Sequence, residues 1–207
     1  MQTIHQLKND YALKTQKGIS MFYGALFLWF ILGMISFVLP EKLNAIIYLG
    51  STGLFFPVGI LAAKVLNIDF FASDNPLSKL AGLLGALQLF FAPILILVGF
   101  EQYEWVPFVV GVLSGAHFLP FMWVYDSRAY LFQTVATVIV SSVTGILFME
   151  HALSIVPFAL MMVYAMTIVL LRKELKRFLY LKKVSDTTER HLSTNGDRHQ
   201  KSVPKKR

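Results

Sequence analysis

The sequence predicts an all-α fold, a polytopic transmembrane bundle of six helices, and three observations carry that prediction. The 207 residues are 56% hydrophobic and 15% charged, with positive mean hydropathy, whereas soluble domains carry about a quarter of their residues as charges. Charge-free windows recur at 18–40, 43–63, 80–100, 105–125, 129–149 and 151–171, one of 23 residues and five of 21. At 1.5 Å per residue, 21 residues of helix reach about 31 Å, close to the hydrocarbon thickness of a bilayer. Finally, the breaks at 41–42, 101–104 and 150 are short and charged, which pairs the helices into three hairpins.

The expected layout is an N-terminal segment 1–17, a six-helix domain 18–171 and a basic tail 172–207. The helices are predicted at 18–40, 43–64, 79–100, 105–125, 129–149 and 151–171. In the first segment Ile4, Leu7 and Tyr11 stand at helical spacing, so a short interfacial helix is one reading and a frayed end the other. The first helix is too long for the apolar core of a signal peptide and lacks a small-residue cleavage site. It ends at Pro40, before Glu41 and Lys42. The second helix contains Pro57, which has no amide hydrogen for the carbonyl of Gly53 and kinks the helix. Lys64 lies near its end, where its side chain can reach the interface.

Residues 65–78 make the longest internal loop. Ser73, Asp74 and Asn75 are N-cap types, and Pro76 suits a first helical position. Phe70 and Phe71 are expected at the interface. The third helix carries Gln88 and Pro93, and Glu101 and Glu104 mark the next turn. The fourth helix, Trp105–Tyr125, carries His117 and Pro120. Asp126–Arg128 is a tight turn whose charges pair or cap helix ends. Trp123, Tyr125 and Tyr130 beside it read as an aromatic belt. Glu150 and His151 form the last turn.

Charge is unevenly placed. Residues 1–171 sum to −1 and residues 172–207 to +8, within a total of +7. Lys8, Lys14, Lys17, Lys64, Lys79, Arg128 and the tail share one side, against Lys42 on the other. This bias places both termini in the cytoplasm. Arg172, Lys173, Lys176, Arg177, Lys182 and Lys183 alternate with Leu175, Phe178, Leu179 and Leu181. The pattern predicts a basic helix at an anionic lipid surface, each charge contributing about 1 kcal/mol. Nucleic acid is not expected as a partner, because membrane anchoring accounts for the same residues. Beyond Asp186 the chain is polar and aperiodic, which predicts disorder.

A partial internal repeat is suggested. Gly24–Phe30 (GALFLWF) matches Gly85–Phe91 (GALQLFF), and Glu41 stands 16 residues before Pro57 as Glu104 does before Pro120. The unit is a two-helix hairpin, with copies related by an axis along the membrane normal. The last two helices make a degenerate third copy: Glu150 holds its place, but no proline follows at the same spacing. Gln88 replaces Phe27, and His117 falls where the first copy has Leu54 or Phe55.

These polar replacements define the candidate intramembrane site: His117, Gln88 and Ser114. Polar side chains inside a bilayer are costly and face the bundle interior or a cavity. His117 lies near the midplane, one turn after Ser114, and Pro120 frees the carbonyl of Ala116 beside it. A kinked site sensitive to protons or ligand is one reading. A neutral histidine bonded between helices to satisfy packing is the other. Gln88, at comparable depth, is its natural partner if the third and fourth helices form a hairpin.

The chain has no cysteine, which excludes disulfides and thiolate chemistry. There are no paired intramembrane carboxylates, no HExxH, no GxSxG and no phosphate loop, so no enzyme is indicated and no cofactor is expected. His117 alone is too few ligands for a metal.

The segments PEKL (40–43), GLFFPVG (53–59), NPLSKLAGLLGALQLFFAPI (75–94) and GAHFLPFMWVY (115–125) resemble a family of small six-helix bacterial integral membrane proteins without assigned function. The resemblance covers about 18–171. It implies the six-helix topology and a bacterial inner membrane, and carries no functional residue across. Two function classes follow. One is a small transporter- or channel-like protein with its site near Gln88 and His117, where kinked helices suit a midplane site. The other is a sensor, immunity or accessory protein whose tail binds lipid or a partner. Six helices are few for a lone transporter, so a homodimer is expected to be feasible. If His117 and Gln88 line a polar cavity open to water, the first class gains. If they are packed dry and the lipid-facing surface is rich in small residues, the second gains.

Overall fold

A computed structural model describes residues 2–201, with side chains over residues 2–184. Among the described residues there is no strand. Ten α-helices follow in order: α1 Ile4–Lys14, α2 Ile19–Ile35, α3 Glu41–Ser51, α4 Phe55–Val65, α5 Leu77–Ala86, α6 Ala92–Glu101, α7 Val106–His117, α8 Leu119–Tyr125, α9 Arg128–Leu147 and α10 Ala152–Lys201. Short 3₁₀ turns join several of them into six helices long and apolar enough to cross a membrane: Gln16–Ile35, Glu41–Val65, Leu77–Glu101, Tyr103–Tyr125, Arg128–Leu147 and Met149–Val184. All six expected spans are present. The chain divides into two units, Met1–Leu171 and Arg172–Arg207.

The span ends differ from charge counting in instructive ways. The first helix stops at Ile35, not Pro40. Leu39 precedes proline and is steered away from helical angles, and the Ser36 hydroxyl closes the turn by donating to the Gly33 carbonyl at 2.6 Å. The second span begins at Glu41, which the charge boundary assigned to the turn. A carboxylate in a first turn is favoured there by the helix dipole.

The N-terminal segment is a helix. A reciprocal cap starts α1: the Gln6 amide donates to Thr3 Oγ1 at 3.3 Å, and the Thr3 amide donates to Gln6 Oε1 at 2.8 Å. Lys14 Nζ contacts Asp10 at 2.9 Å and Asp74 at 2.5 Å. Asn75 Nδ2 donates to the Leu7 carbonyl and to Asp10, both at 2.9 Å. Asn75 Oδ1 also accepts from the Leu77 amide at 2.9 Å, capping the third span as the sequence suggests. Three consecutive left-handed residues, Gln16 (φ 47°), Lys17 (φ 55°) and Gly18 (φ 67°), turn α1 into α2. A Cβ at Gly18 would stand 2.8 Å from the Tyr130 hydroxyl, so glycine is required there.

Two helix pairs are packed on small residues. In α2 and α4, a Cβ on Gly24 would lie 2.9 Å from the backbone nitrogen of Gly59. In α7 and α9, Gly111 faces Ser141, Gly115 faces Thr137 and Gly145 faces Phe108. Lipid tails are as apolar as leucine, so close backbone approach, not exclusion of water, holds such pairs together.

The suggested copies are packed differently. Gly24 is closed against Gly59, whereas its counterpart Gly85 has no atom within 4 Å of where a Cβ would be. GALFLWF is α-helical, but Leu87–Phe91 of the second copy is 3₁₀.

The unit after Leu171 is helical through Lys201. Arg172, Lys173, Lys176, Arg177, Lys182 and Lys183 are exposed on it, while Leu175 and Phe178 are half-buried. Side chains after Val184 and all of residues 202–207 lie outside the described residues, and with them most of the segment expected to be disordered.

Candidate functional site

His117 ends α7 and is 7% exposed. Its ring lies between Phe118 and Phe121, with centroids at 5.8 and 5.6 Å, and its Nδ1 has no hydrogen-bond partner. Ser114 is buried one turn earlier. The break expected at Pro120 falls between His117 and Leu119. There the Phe118 amide turns back to the Gly115 carbonyl at 3.1 Å, and the Phe121 amide to the Phe118 carbonyl at 3.1 Å. The helix repairs its proline gap with tightened turns of its own backbone.

Gln88 sits in the 3₁₀ segment Leu87–Phe91 of the third span and is half-buried. That segment packs against α7, as the hairpin reading requires. No hydrogen bond joins Gln88 to His117 among the described residues. His117 and Ser114 thus stand one turn apart on α7, and Gln88 lies on a segment packed against that helix without a hydrogen bond to the histidine.

The other kinks follow one rule. Pro57 is the third residue of α4, after the 3₁₀ turn Thr52–Leu54, and Pro93 is the second residue of α6, after Leu87–Phe91. Each proline stands in the first turn of a restarted helix, where a missing amide hydrogen costs least. Pro107 in α7 repeats the pattern, and Pro157 lies inside α10.

Sequence reasoning missed the most polar part of the core. Gln133, Thr137 and Ser141 recur every fourth residue along α9, and all are fully buried. Gln133 Nε2 donates to Thr137 Oγ1 at 2.9 Å. Thr167 Oγ1, on α10, lies 2.5 Å from Gln133 Oε1 and 3.0 Å from the Val163 carbonyl. The buried amide is thus satisfied by hydroxyls on two helices. The signal was the four-residue spacing of Gln133, Thr137 and Ser141, which charge counting treats as apolar.

At the turn after the fourth span one expectation holds in part and one is corrected. Asp126 and Arg128 form no ion pair. Asp126 ends α8 in a left-handed conformation (φ 44°), a role aspartate tolerates. The aromatic belt is not one surface. Trp123 is exposed with Lys8 Nζ 3.5 Å above its ring, while Tyr125 and Tyr130 are buried. Tyr125 stacks on Tyr11 at 5.5 Å and on Tyr130 at 5.2 Å, and the Tyr130 hydroxyl donates to the Lys17 carbonyl at 2.8 Å. Burial raises the Tyr11 phenol above its usual value, and Asp74 and Asp10 raise the Lys14 ammonium. Among the described residues no group of three or more His, Cys, Asp or Glu is placed to hold a metal.

Six membrane-length apolar helices held by glycine contacts and a buried amide–hydroxyl cluster define a helical protein of the membrane-spanning type. Within that class the chain belongs to the family of unknown function DUF7010, whose model matches residues 4–174. The match takes in α1, the first five spans and the sixth as far as residue 174. No curated protein matches the chain, and no solved structure does.

Proposed function

We propose that this protein works by association within the bilayer, as a non-transporting accessory, sensor or immunity-type protein that pairs with a second copy through its third span. The observation that carries this reading is the surface of that span. It is the least buried of the six. Gly82 and Gly85 have nothing within 4 Å of a Cβ position, and Ala86, four residues after Gly82, is exposed. Gly50 and Gly53 of the second span are open in the same way. Large apolar side chains are the usual covering towards lipid, whereas small residues mark helix–helix contacts. Gln88, one turn after Gly85, makes no hydrogen bond within the chain among the described residues. A primary amide both donates and accepts, so the same residue on a two-fold related copy satisfies it. The aromatic packing of His117, without a hydrogen bond to Gln88, supports this class over a solute path between them.

The setting proposed is a bacterial inner membrane with both termini cytoplasmic, from the basic side chains of α1 and the tail. The six exposed basic residues 172–183 would hold anionic lipid, so charge-neutral vesicles or high salt should release a probe placed on the tail.

The test is energy transfer between donor- and acceptor-labelled protein in vesicles at falling protein-to-lipid ratio. Wild type should show saturable transfer, and Gly85→Leu with Gln88→Leu should abolish it without lowering thermal stability. Transfer that vanishes on dilution in wild type, or persists in the double variant, overturns the proposal. The buried Gln133 cluster favours the alternative, a small transporter- or channel-like protein. A solute flux that His117→Ala abolishes at normal expression, with energy transfer unchanged, would select it.

A further inference from the structure

The centre of the bundle contains polar atoms that the helices bring together and leave unsatisfied. Trp29 of α2 and Tyr48 of α3 are fully buried, and Tyr164 of α10 is 1% exposed. The Trp29 ring lies 5.7 Å from Tyr48 and 6.1 Å from Tyr164, centroid to centroid. Trp29 Nε1 and the Tyr48 hydroxyl each lack a hydrogen-bond partner. The Tyr164 hydroxyl is the neighbour they share: it interacts with Tyr48 and lies close to Trp29 and Gln133, but the indole falls short of hydrogen-bond geometry with it. One turn before Tyr48 on the same helix face, Asn44 Oδ1 is buried and also unpartnered.

An indole N–H only donates, whereas a phenol hydroxyl both donates and accepts. Leaving such groups dry in a core is costly. Their convergence from three helices requires one small species that accepts from the indole and exchanges hydrogen bonds with two phenols. The species is uncharged, because the buried residues around it are aromatic, amide and hydroxyl in type. Lys17, the buried cation of the first span, is twelve residues before Trp29, about 18 Å along a helix.

We propose that Trp29, Tyr48 and Tyr164 bind a structural water molecule at the centre of the bundle. Three hydrogen bonds is the usual complement of a buried water. The bound water extends the Gln133–Thr167 cluster across to the first hairpin. It ties the first, second and sixth spans at a level where they otherwise meet through rings alone.

The test is thermal unfolding of the full chain in mild detergent for Tyr48→Phe, Tyr164→Phe and the double variant, each deleting one oxygen. If water bridges the phenols, each single variant lowers Tm by several degrees, and the double variant loses less than the sum, because either deletion breaks the same bridge. A Tm unchanged or raised in Tyr48→Phe means the hydroxyl was a dry orphan whose removal relieves strain. Additive losses mean the hydroxyls act separately. Either result overturns the proposal. If the variants fail to fold, Trp29 fluorescence in a Trp105→Phe, Trp123→Phe background decides. Emission to the red of indole in hydrocarbon supports a water on its N–H, and emission matching hydrocarbon overturns it.

Discussion

Replacing Gly111 by alanine should force α7 and α9 apart, and the cost follows from the geometry of that contact. A Cβ at Gly111 would stand 2.7 Å from the Ser141 Cβ and closer still to its Oγ. Carbon atoms rest at about 3.5–4.0 Å, so the helices must separate by about 1 Å, because the Ser141 Cβ cannot rotate away. A gap of that size forfeits a quarter to a half of the dispersion energy of each neighbouring contact, including Gly115 on Thr137 and Gly145 on Phe108. Overpacking of this kind costs about 1–3 kcal/mol, which for a chain of this length lowers Tm by about 2–12 °C. Alanine's higher helix propensity, about 1 kcal/mol, acts against the loss, so a net fall means packing dominates. Unfolding followed by circular dichroism in mild detergent is the assay. Ser141→Gly removes both clashing atoms and breaks no hydrogen bond, since Ser141 Oγ has no partner. It also returns the glycine count of the pair to its starting value. The Gly111→Ala, Ser141→Gly double variant should therefore recover most of the wild-type Tm. A single variant as stable as wild type, or a double variant no better than the single, would refute the argument.

Three other outcomes are expected. Gly82→Ala and Gly85→Ala, where nothing meets the new methyl group, should leave the Tm of the monomer unchanged or raise it slightly in the same assay. Gln133→Leu should lower Tm by an amount corresponding to about 1–2 kcal/mol, because Thr137 loses its donor inside the bundle; a stability equal to wild type would mean the amide cluster holds nothing. Alkali should loosen α1: the folded values of Tyr11 and Lys14 are raised above 10.0 and 10.5, so their stabilisation is complete below those values and lost as pH climbs through the raised ones. Limited proteolysis of the N-terminus between neutral pH and pH 11 should show increasing cleavage, and Lys14→Met should shift that onset to lower pH; a pH-independent pattern would contradict the assignment.

The six spans were legible because a charge every twenty-odd residues is a coarse signal that the bilayer itself imposes. The interior was not, because the same rule is blind to uncharged polarity. Gln133, Thr137 and Ser141 sit in a window that counts as apolar, yet they form a fully buried polar stripe in the bundle. His117 stood out in the sequence because it is titratable, and the fold wraps it in phenylalanine rings. Depth and the hairpin place Gln88 near His117, and neither fixes a side-chain contact: its segment packs against α7, yet no hydrogen bond joins the two among the described residues. The repeat had the same weakness. Matching prolines and glutamates locate breaks along the chain, but Gly24 and Gly85 meet opposite surroundings because packing depends on what lies across from each helix. The sequence leaves the N-terminal helix open between two readings because its partners, Asp74, Asn75, Trp123 and Tyr125, are far away in sequence.

That distance has a consequence for biogenesis. The N-terminal segment leaves the ribosome before the residues that secure it: Lys14 to Asp74, 60 positions on, Thr15 to Tyr125, 110 on, and the Lys17 carbonyl to Tyr130, 113 on. The left-handed hinge at Gln16–Gly18 gains its closing hydrogen bond only when the fifth span has entered the membrane. A nascent chain halted before that point can hold α1 through Asp74 and Asn75 but leaves the hinge after it open. The hinge is therefore finished late, and its closure reports that five of the six spans are in place.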